Sequence, residues 1–135
     1  MKSRVHYVSP LISVADIERS VEFYKVLGFT CHDMLRDDDG AAFFAAMDCH
    51  KGGAAEQTNE NYTATIMFGR AEEPIDPKKQ GIVLYMYTLD LPGLREKVLA
   101  VGGQVTEIEP RFYMKKGEVT VTDPDGYCIL VGWEE

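Results

Sequence analysis

The side chains best suited to moving a proton in this chain of 135 residues are three scattered histidines, His6, His32 and His50. An imidazole titrates near neutrality and serves as a general base or a metal ligand. A site built from these three would need a convergence in space that their spacing does not suggest, and a surface or partly buried histidine accounts for each. Cys49 and His50 have the types of a nucleophile and its base, but immediate neighbours in an extended segment point to opposite sides. Asp37-Asp38-Asp39 has the acidity of a calcium loop without the full ligand series and its terminal Glu, which leaves a solvated turn. Two other groups suit recognition better than bond cleavage. Arg111, in the mixed cationic and aromatic stretch Glu109 to Lys116, can grip a carboxylate or phosphate while Tyr113 covers it, and a solvated turn with a local basic patch fits the same residues. Tyr85 and Tyr87 stand at alternate positions, so both belong to one face of a strand, where they can stack on a flat ligand or serve as ordinary packing.

Elements able to position these groups follow from periodicity. Tyr7 to Val14 ends in alternating apolar residues and stops at Ala15-Asp16, a strand running into a helix N-cap. From Asp16 the apolar positions Ile17, Val21, Tyr24 and Leu27 fall at helical spacing, and Gly28 suits the left-handed position after the helix. Strands are expected over Phe29 to Arg36, Ala41 to Met47 and Thr63 to Phe68, with the first two joined through the acidic turn. A polar stretch from Asp48 through Gly52-Gly53 to Asn61 reads as a long loop. After a linker from Gly69 to Gln80 the order begins again: strand Ile82 to Leu89, helix Leu91 to Val101, then the pair Gly102-Gly103. Asp16 and Asp90 lie 74 residues apart, as do Gly28 and Gly102, so one offset matches both ends of both helices. Strands near Gln104 to Ile108, Glu118 to Thr122 and Tyr127 to Trp133 complete the second copy, the last two joined by the turn Asp123-Pro124-Asp125-Gly126. The expected class is α+β, two βαβββ modules within one domain spanning residues 1–135. Module 1 covers about 5–69, the linker about 70–80 and module 2 about 81–135.

Composition narrows the partners. A hydrophobic content of 45% gives one domain a real core. Fourteen basic against twenty-two acidic residues leave a net charge of -8, which opposes binding to nucleic acid or to an anionic membrane. The same charge attracts cationic compounds at long range. No apolar run approaches the roughly 18 residues a span requires, and the N-terminus enters a strand pattern rather than a signal segment. Cys31, Cys49 and Cys128 are odd in number and form no CxxC pair, which suits a reducing cytoplasm and no disulfide or structural zinc.

The run Ser13-Val14-Ala15-Asp16-Ile17-Glu18-Arg19-Ser20-Val21-Glu22-Phe23-Tyr24, then Leu27-Gly28-Phe29, and later Thr122-Asp123-Pro124-Asp125-Gly126-Tyr127, resembles the vicinal oxygen chelate superfamily. That group contains glyoxalases, bleomycin-resistance proteins and dioxygenases, and the resemblance covers nearly the whole chain. It implies an open, barrel-like cleft formed by the two sheets, usually completed in a homodimer, and it does not imply one reaction. In metal-using members it places ligands, typically His, Gln or Glu, on the opening and closing strand of each half. Those places fall here on Ser9 and Val83, on Leu130 four residues after Gly126, and near Met67. Val83 and Leu130 have no lone pair to offer and a serine coordinates weakly, so no metal and no cofactor is expected.

On this resemblance Ser9, Leu11 and Ser13 line one side of the cleft and Val83, Tyr85 and Tyr87 the other. Cys128, Leu130 and Gly132 share that face on the last strand, while Tyr127, Ile129, Val131 and Trp133 turn towards the helices. The expected ligand-binding set is Ser9, Leu11, Met67, Val83, Tyr85, Tyr87, Arg111, Tyr113 and Leu130, with no catalytic residue assigned. The leading expectation is a glyoxalase/bleomycin-resistance-like protein that binds a small, partly aromatic organic molecule in a metal-free cleft. Its competitors are an enzyme of the same superfamily, using an unexpected metal site or none, and an interaction module with a collapsed cleft.

Overall fold

The computed structural model describes residues 3–51 and 57–134. The chain divides into two compact units, Met1–Glu73 and Pro74–Glu135. The first contains β1 (Leu11–Val14), α1 (Ile17–Val26), β2 (Thr30–Arg36), β3 (Ala42–His50) and β4 (Tyr62–Arg70). The second contains β5 (Val83–Thr88), α2 (Leu91–Ala100), β6 (Gln104–Val105), β7 (Glu109–Arg111), β8 (Met114–Thr122) and β9 (Cys128–Trp133). The class is α+β, with two mixed sheets ordered β1-β4-β3-β2 and β5-β9-β8-β6, and β7 pairing with β8.

Both helices start and stop by one device. Asp16 accepts a hydrogen bond from the Arg19 amide at 3.1 Å, and Asp90 accepts one from Gly93 at 3.0 Å, so each carboxylate satisfies an amide the first turn leaves free. At the other end Gly28 and Gly102 take φ of 104° and 75°. Phe29 then donates back to the Tyr24 carbonyl and Gly103 to that of Val98, the paired closing bonds that a left-handed glycine permits. The 74-residue offset is therefore an offset of capping chemistry. In the turn between β8 and β9, Asp123 Oδ1 accepts from the amides of Asp125 and Tyr127, both at 2.9 Å, and Gly126 supplies a φ of 89°.

Each helix covers one face of its own sheet. In the first unit Ile17, Val21 and Tyr24 are buried, as are Val14, Ala45, Met47, Ile66 and Phe68, and the Tyr24 and Phe68 rings lie 4.8 Å apart. In the second, Leu91 and Val98 are buried together with Val119, Val121, Ile129 and Val131. A fully buried aliphatic side chain contributes about 1.5–3 kcal/mol, which is the main reason the sheets hold this register. The alternate residues of the same strands make the other face, which no helix of its own unit covers.

Several boundaries differ from expectation, for stated reasons. β1 begins at Leu11 rather than Tyr7, because Pro10 has no amide to give the ladder and contributes only its carbonyl, to Met67. β3 runs on to His50, since Asp48, Cys49 and His50 pair with Thr65, Ala64 and Tyr62. The segment from Asp48 is thus strand before it is loop, and Gly52-Gly53 lie outside the described residues. Glu109 to Lys116 is a hairpin rather than a loop, with Glu109 opposite Glu118 and Arg111 opposite Met114, so four strands follow α2.

Candidate functional site

On the second sheet, parallel pairing sets Val83 beside Cys128, Tyr85 beside Leu130 and Tyr87 beside Gly132. Antiparallel pairing continues those rows to Thr122, Thr120 and Glu118. The uncovered face thus carries Val83, Tyr85 and Tyr87 along its edge, 54%, 37% and 62% exposed. The two tyrosine rings stand 5.1 Å apart, tilted by 44°. Neither hydroxyl hydrogen-bonds to any of the described residues. Gly132 keeps the middle of this face low: a Cβ there would come within 2.6 Å of Met114 Cε and 3.2 Å of the Tyr85 hydroxyl.

Glu118 ends the row of Tyr87 and Gly132, and only 4% of it is exposed. The β7–β8 hairpin reaches over it. Tyr113 donates its hydroxyl to Glu118 Oε1, and Arg111 Nε lies 3.7 Å from the same oxygen while its terminal nitrogen pairs with Glu109 at 3.2 Å. The carboxylate that accepts this hydrogen bond, with some burial, holds the Tyr113 phenol above its ordinary range. Burial first, and then the charge of Glu118, pushes the Tyr85 phenol up as well. The guanidinium of Arg111, for which a grip on a ligand anion and a solvated basic turn were both open, is shared between two carboxylates, and the cluster of Glu109, Arg111 and Glu118 has an acid in excess. Beside the hairpin, Phe112, Tyr113, Met114, Lys115, Lys116 and Trp133 line an open hollow of about 350 Å³. Trp133 is half-buried, its indole nitrogen donates to the Leu89 carbonyl, and the Lys116 ammonium sits 4.5 Å from its ring centre.

The uncovered face of the first sheet has different chemistry. Leu11 is exposed and pairs with the half-buried Met67, and Ser9 donates its hydroxyl to the Thr65 carbonyl at 2.8 Å. Thr65 in turn donates to Asp48 Oδ1 at 2.7 Å, and the other oxygen of Asp48 lies 2.9 Å from His32 Nδ1. Tyr62 meets Thr65 Oγ1 at 2.6 Å and Tyr7 meets the Tyr62 hydroxyl. Burial chiefly pushes the Tyr62 phenol up. The edge of the His50 ring packs on Tyr62 at 5.8 Å, and its Nδ1 is buried with no hydrogen-bond partner among the described residues.

Of the expected residues, Val83, Tyr85, Tyr87, Arg111, Tyr113 and Leu130 belong to the second unit's uncovered face and hairpin, and Ser9, Leu11 and Met67 to the first. Glu118 was missed, although the alternation Glu118-Val119-Thr120-Val121-Thr122 sets it opposite the valines. The Asp48 and His32 pair was missed because Asp48 was assigned to a loop. At the places where a divalent ion would be held, Ser9 spends its proton on a backbone carbonyl and Met67, Val83 and Leu130 supply no hard donor. These four positions do not fit such an ion. The acidic loop fails as a cation site for a related reason: Asp37 Oδ1 accepts the amides of Asp39 and Ala41, Oδ2 pairs with Arg70, and the backbone bond from Ala41 is the chief cause holding its pKa low. No helix among the described residues is long and apolar enough to cross a membrane.

Two helix-backed mixed sheets, each with an uncovered face carrying polar and aromatic side chains, define a class of small α+β proteins. The family model described as the Glyoxalase/Bleomycin resistance protein/Dioxygenase superfamily matches residues 4–131, and the chain belongs to that superfamily. No curated protein sequence matches it. Among solved structures it is similar to a bleomycin resistance determinant encoded on the transposon Tn5, with 16% identity over 97% of this chain and 99% of that one and a TM-score of 0.67. A bleomycin-binding protein complexed with bleomycin gives 16% identity, coverage of 97% and 100%, and a TM-score of 0.65. A glyoxalase-related enzyme from Clostridium phytofermentans gives 17%, 96%, 95% and 0.68. At these identities the likeness is one of fold.

Proposed function

We propose that the chain binds a small, partly aromatic organic molecule without a metal, and that the uncovered face of the second sheet is one wall of its site. The observation that carries this reading is the Tyr85 and Tyr87 pair, left 37% and 62% exposed with free hydroxyls beside a buried carboxylate. Exposed aromatic rings on a sheet face cost hydration unless something covers them, and their flat faces and polar tips together suit an aromatic ligand bearing hydrogen-bond acceptors. A neighbour of the same fold, the bleomycin-binding protein complexed with bleomycin, supports ligand binding as the use of this scaffold. The excess acid around Glu118 favours neutral or cationic molecules over anions. A homodimer and a cytoplasmic setting belong to the same reading, the latter suiting three free cysteines.

Calorimetric titration against flat aromatic compounds, bleomycin included, tests it. A saturable heat is expected, weakened at least about tenfold by Tyr85→Ala and Tyr87→Ala together. Absence of saturable binding across the panel overturns the reading. Stoichiometric Ni, Co, Mn or Zn retained through gel filtration overturns its metal-free part.

A further inference from the structure

The hollow beside the β7–β8 hairpin takes no part in that reading, and we infer that it is a second binding site, one for aromatic carboxylates. Its volume of about 350 Å³ lies within the range of small-molecule sites. Rings and cations line it together: Phe112, Tyr113 and Trp133 with Lys115 and Lys116, and Met114 completes it. Two of the rings are fixed by hydrogen bonds. Trp133 donates its indole N–H to the Leu89 carbonyl at 3.2 Å, and Tyr113 donates its hydroxyl to Glu118. Much of the lining is therefore in position before a ligand arrives.

The third ring, Phe112, stands edge-on to Tyr113, with centres 5.1 Å apart and planes at 89°. At 92% it is the most exposed large apolar side chain among the described residues. Phe112 and Tyr113 make the turn of the hairpin, since Arg111 pairs with Met114 across them. Short hairpin turns ordinarily take Gly, Asn or Asp, so turn geometry does not account for two aromatic residues here. Covering so hydrated a ring with a flat molecule is favourable.

The cations supply the selection. Lys116 Nζ lies 4.5 Å from the centre of the Trp133 ring, which holds the ammonium at the hollow without cancelling its charge. Arg111 on the same hairpin has two carboxylates, Glu109 and Glu118, whereas Lys115 and Lys116 have none among the described residues. In a chain with twenty-two acidic residues against fourteen basic, two adjacent lysines without an acid make a local positive spot. A flat ring covers Phe112, and a carboxylate attached to that ring meets the ammonium groups through charge-assisted hydrogen bonds. A neutral arene lacks the second contact, an aliphatic acid lacks the first, and an arylammonium ion is repelled. The hollow is thus opposite in sign to the surface of Tyr85, Tyr87 and Glu118.

Trp133 is the only tryptophan in the chain, so its emission and its indole N–H resonance both report on the hollow. Titration with 4-nitrobenzoate, which quenches indole on contact, should quench Trp133 saturably and shift that resonance with the same affinity. The alcohol and the ammonium with the same ring, 4-nitrobenzyl alcohol and 4-nitrobenzylammonium, should bind at least about tenfold more weakly, the worth of one charge-assisted hydrogen bond. Lys115→Gln and Lys116→Gln together should bring the affinity for nitrobenzoate down to that for the alcohol, and Lys116→Arg should keep most of it. Phe112→Ala should weaken the acid and the alcohol alike. Lys78→Gln and Lys79→Gln together change the net charge by the same amount at exposed positions outside the lining, and should leave the affinity within about twofold of wild type. Quenching that rises linearly without saturation overturns the inference. So does equal affinity for the acid and the alcohol, or equal loss in the two lysine double variants.

Discussion

The two uncovered faces share a frame and differ in what they do with one acid. In the first unit Asp48 lies in the row of Ser9 and Thr65, and its two oxygens receive a half-buried threonine and a histidine. In the second unit Glu118 lies in the row of Tyr87 and Gly132, at the other end of the equivalent set of rows, and among the described residues one of its oxygens is taken, by Tyr113 and Arg111 from an exposed hairpin. One carboxylate closes a network within its own sheet. The other is held from above by an exposed hairpin. The same strand geometry therefore supports an oriented imidazole in one place and an aromatic, acid-floored surface in the other, and the distinction comes from a handful of side chains.

That difference is open to direct attack. The largest expected effect is Asp48→Ala, which leaves a half-buried threonine hydroxyl without its acceptor and should cost about 1–3 kcal/mol in urea denaturation. Glu118→Ala should stay within about 1 kcal/mol of wild type despite its deeper burial, since it removes a buried charge and its former partners reach solvent. If Glu118→Ala costs more than Asp48→Ala, the contrast between a closed network and an exposed hairpin is wrong. Next comes Gly132→Ala. Its methyl would crowd Met114 and the Tyr85 hydroxyl, so stability should fall by about 1 kcal/mol and aromatic-ligand affinity by about tenfold. Tyr85→Phe and Tyr87→Phe keep the rings and remove the donors. Each should weaken binding several-fold, by about 0.5–1.5 kcal/mol, as read by calorimetry.

The smallest effect concerns pH. Tyr113 is an acid whose folded pKa is raised above 10.0, chiefly because it donates to Glu118. The neutral phenol is thus favoured by folding, so its stabilisation is full below pH 10.0 and is lost as pH rises through the folded value. Ultraviolet titration of tyrosinate should show this phenol ionising late in the wild type and earlier in Glu118→Gln. No change in Glu118→Gln would mean that the hairpin does not hold the acid.

Much of the frame was legible because it is written in local chemistry. Asp16 and Asp90, Gly28 and Gly102, and the turn at Asp123 each do with their own atoms what their types suggested, over spans of a few residues. The alternation of Val83, Tyr85 and Tyr87 likewise predicted a common face. Pairing beyond one strand was harder. Pro110 and two lysines hid the hairpin that brings Arg111 and Tyr113 onto Glu118, so the ion pairs of Arg111 were not legible along the chain. The pair of His32 and Asp48 depends on a bulge and on three residues of β3 whose polar character resembles a loop until Thr65, Ala64 and Tyr62 are set opposite them. Composition along one strand does not encode a register shift on its neighbour.

The bulge at His32 has a consequence for the protein in a crowded solution. β2 is the last strand of its sheet, and its outer amides and carbonyls are the ones another chain would pair with. A strand kinked by an extra residue and carrying His32, Asp33 and Arg36 is a poor template for such pairing. Deleting His32 to restore a regular ladder should therefore leave a protein that folds yet self-associates, so the residue that interrupts the ladder also guards the edge of the sheet against fibre growth.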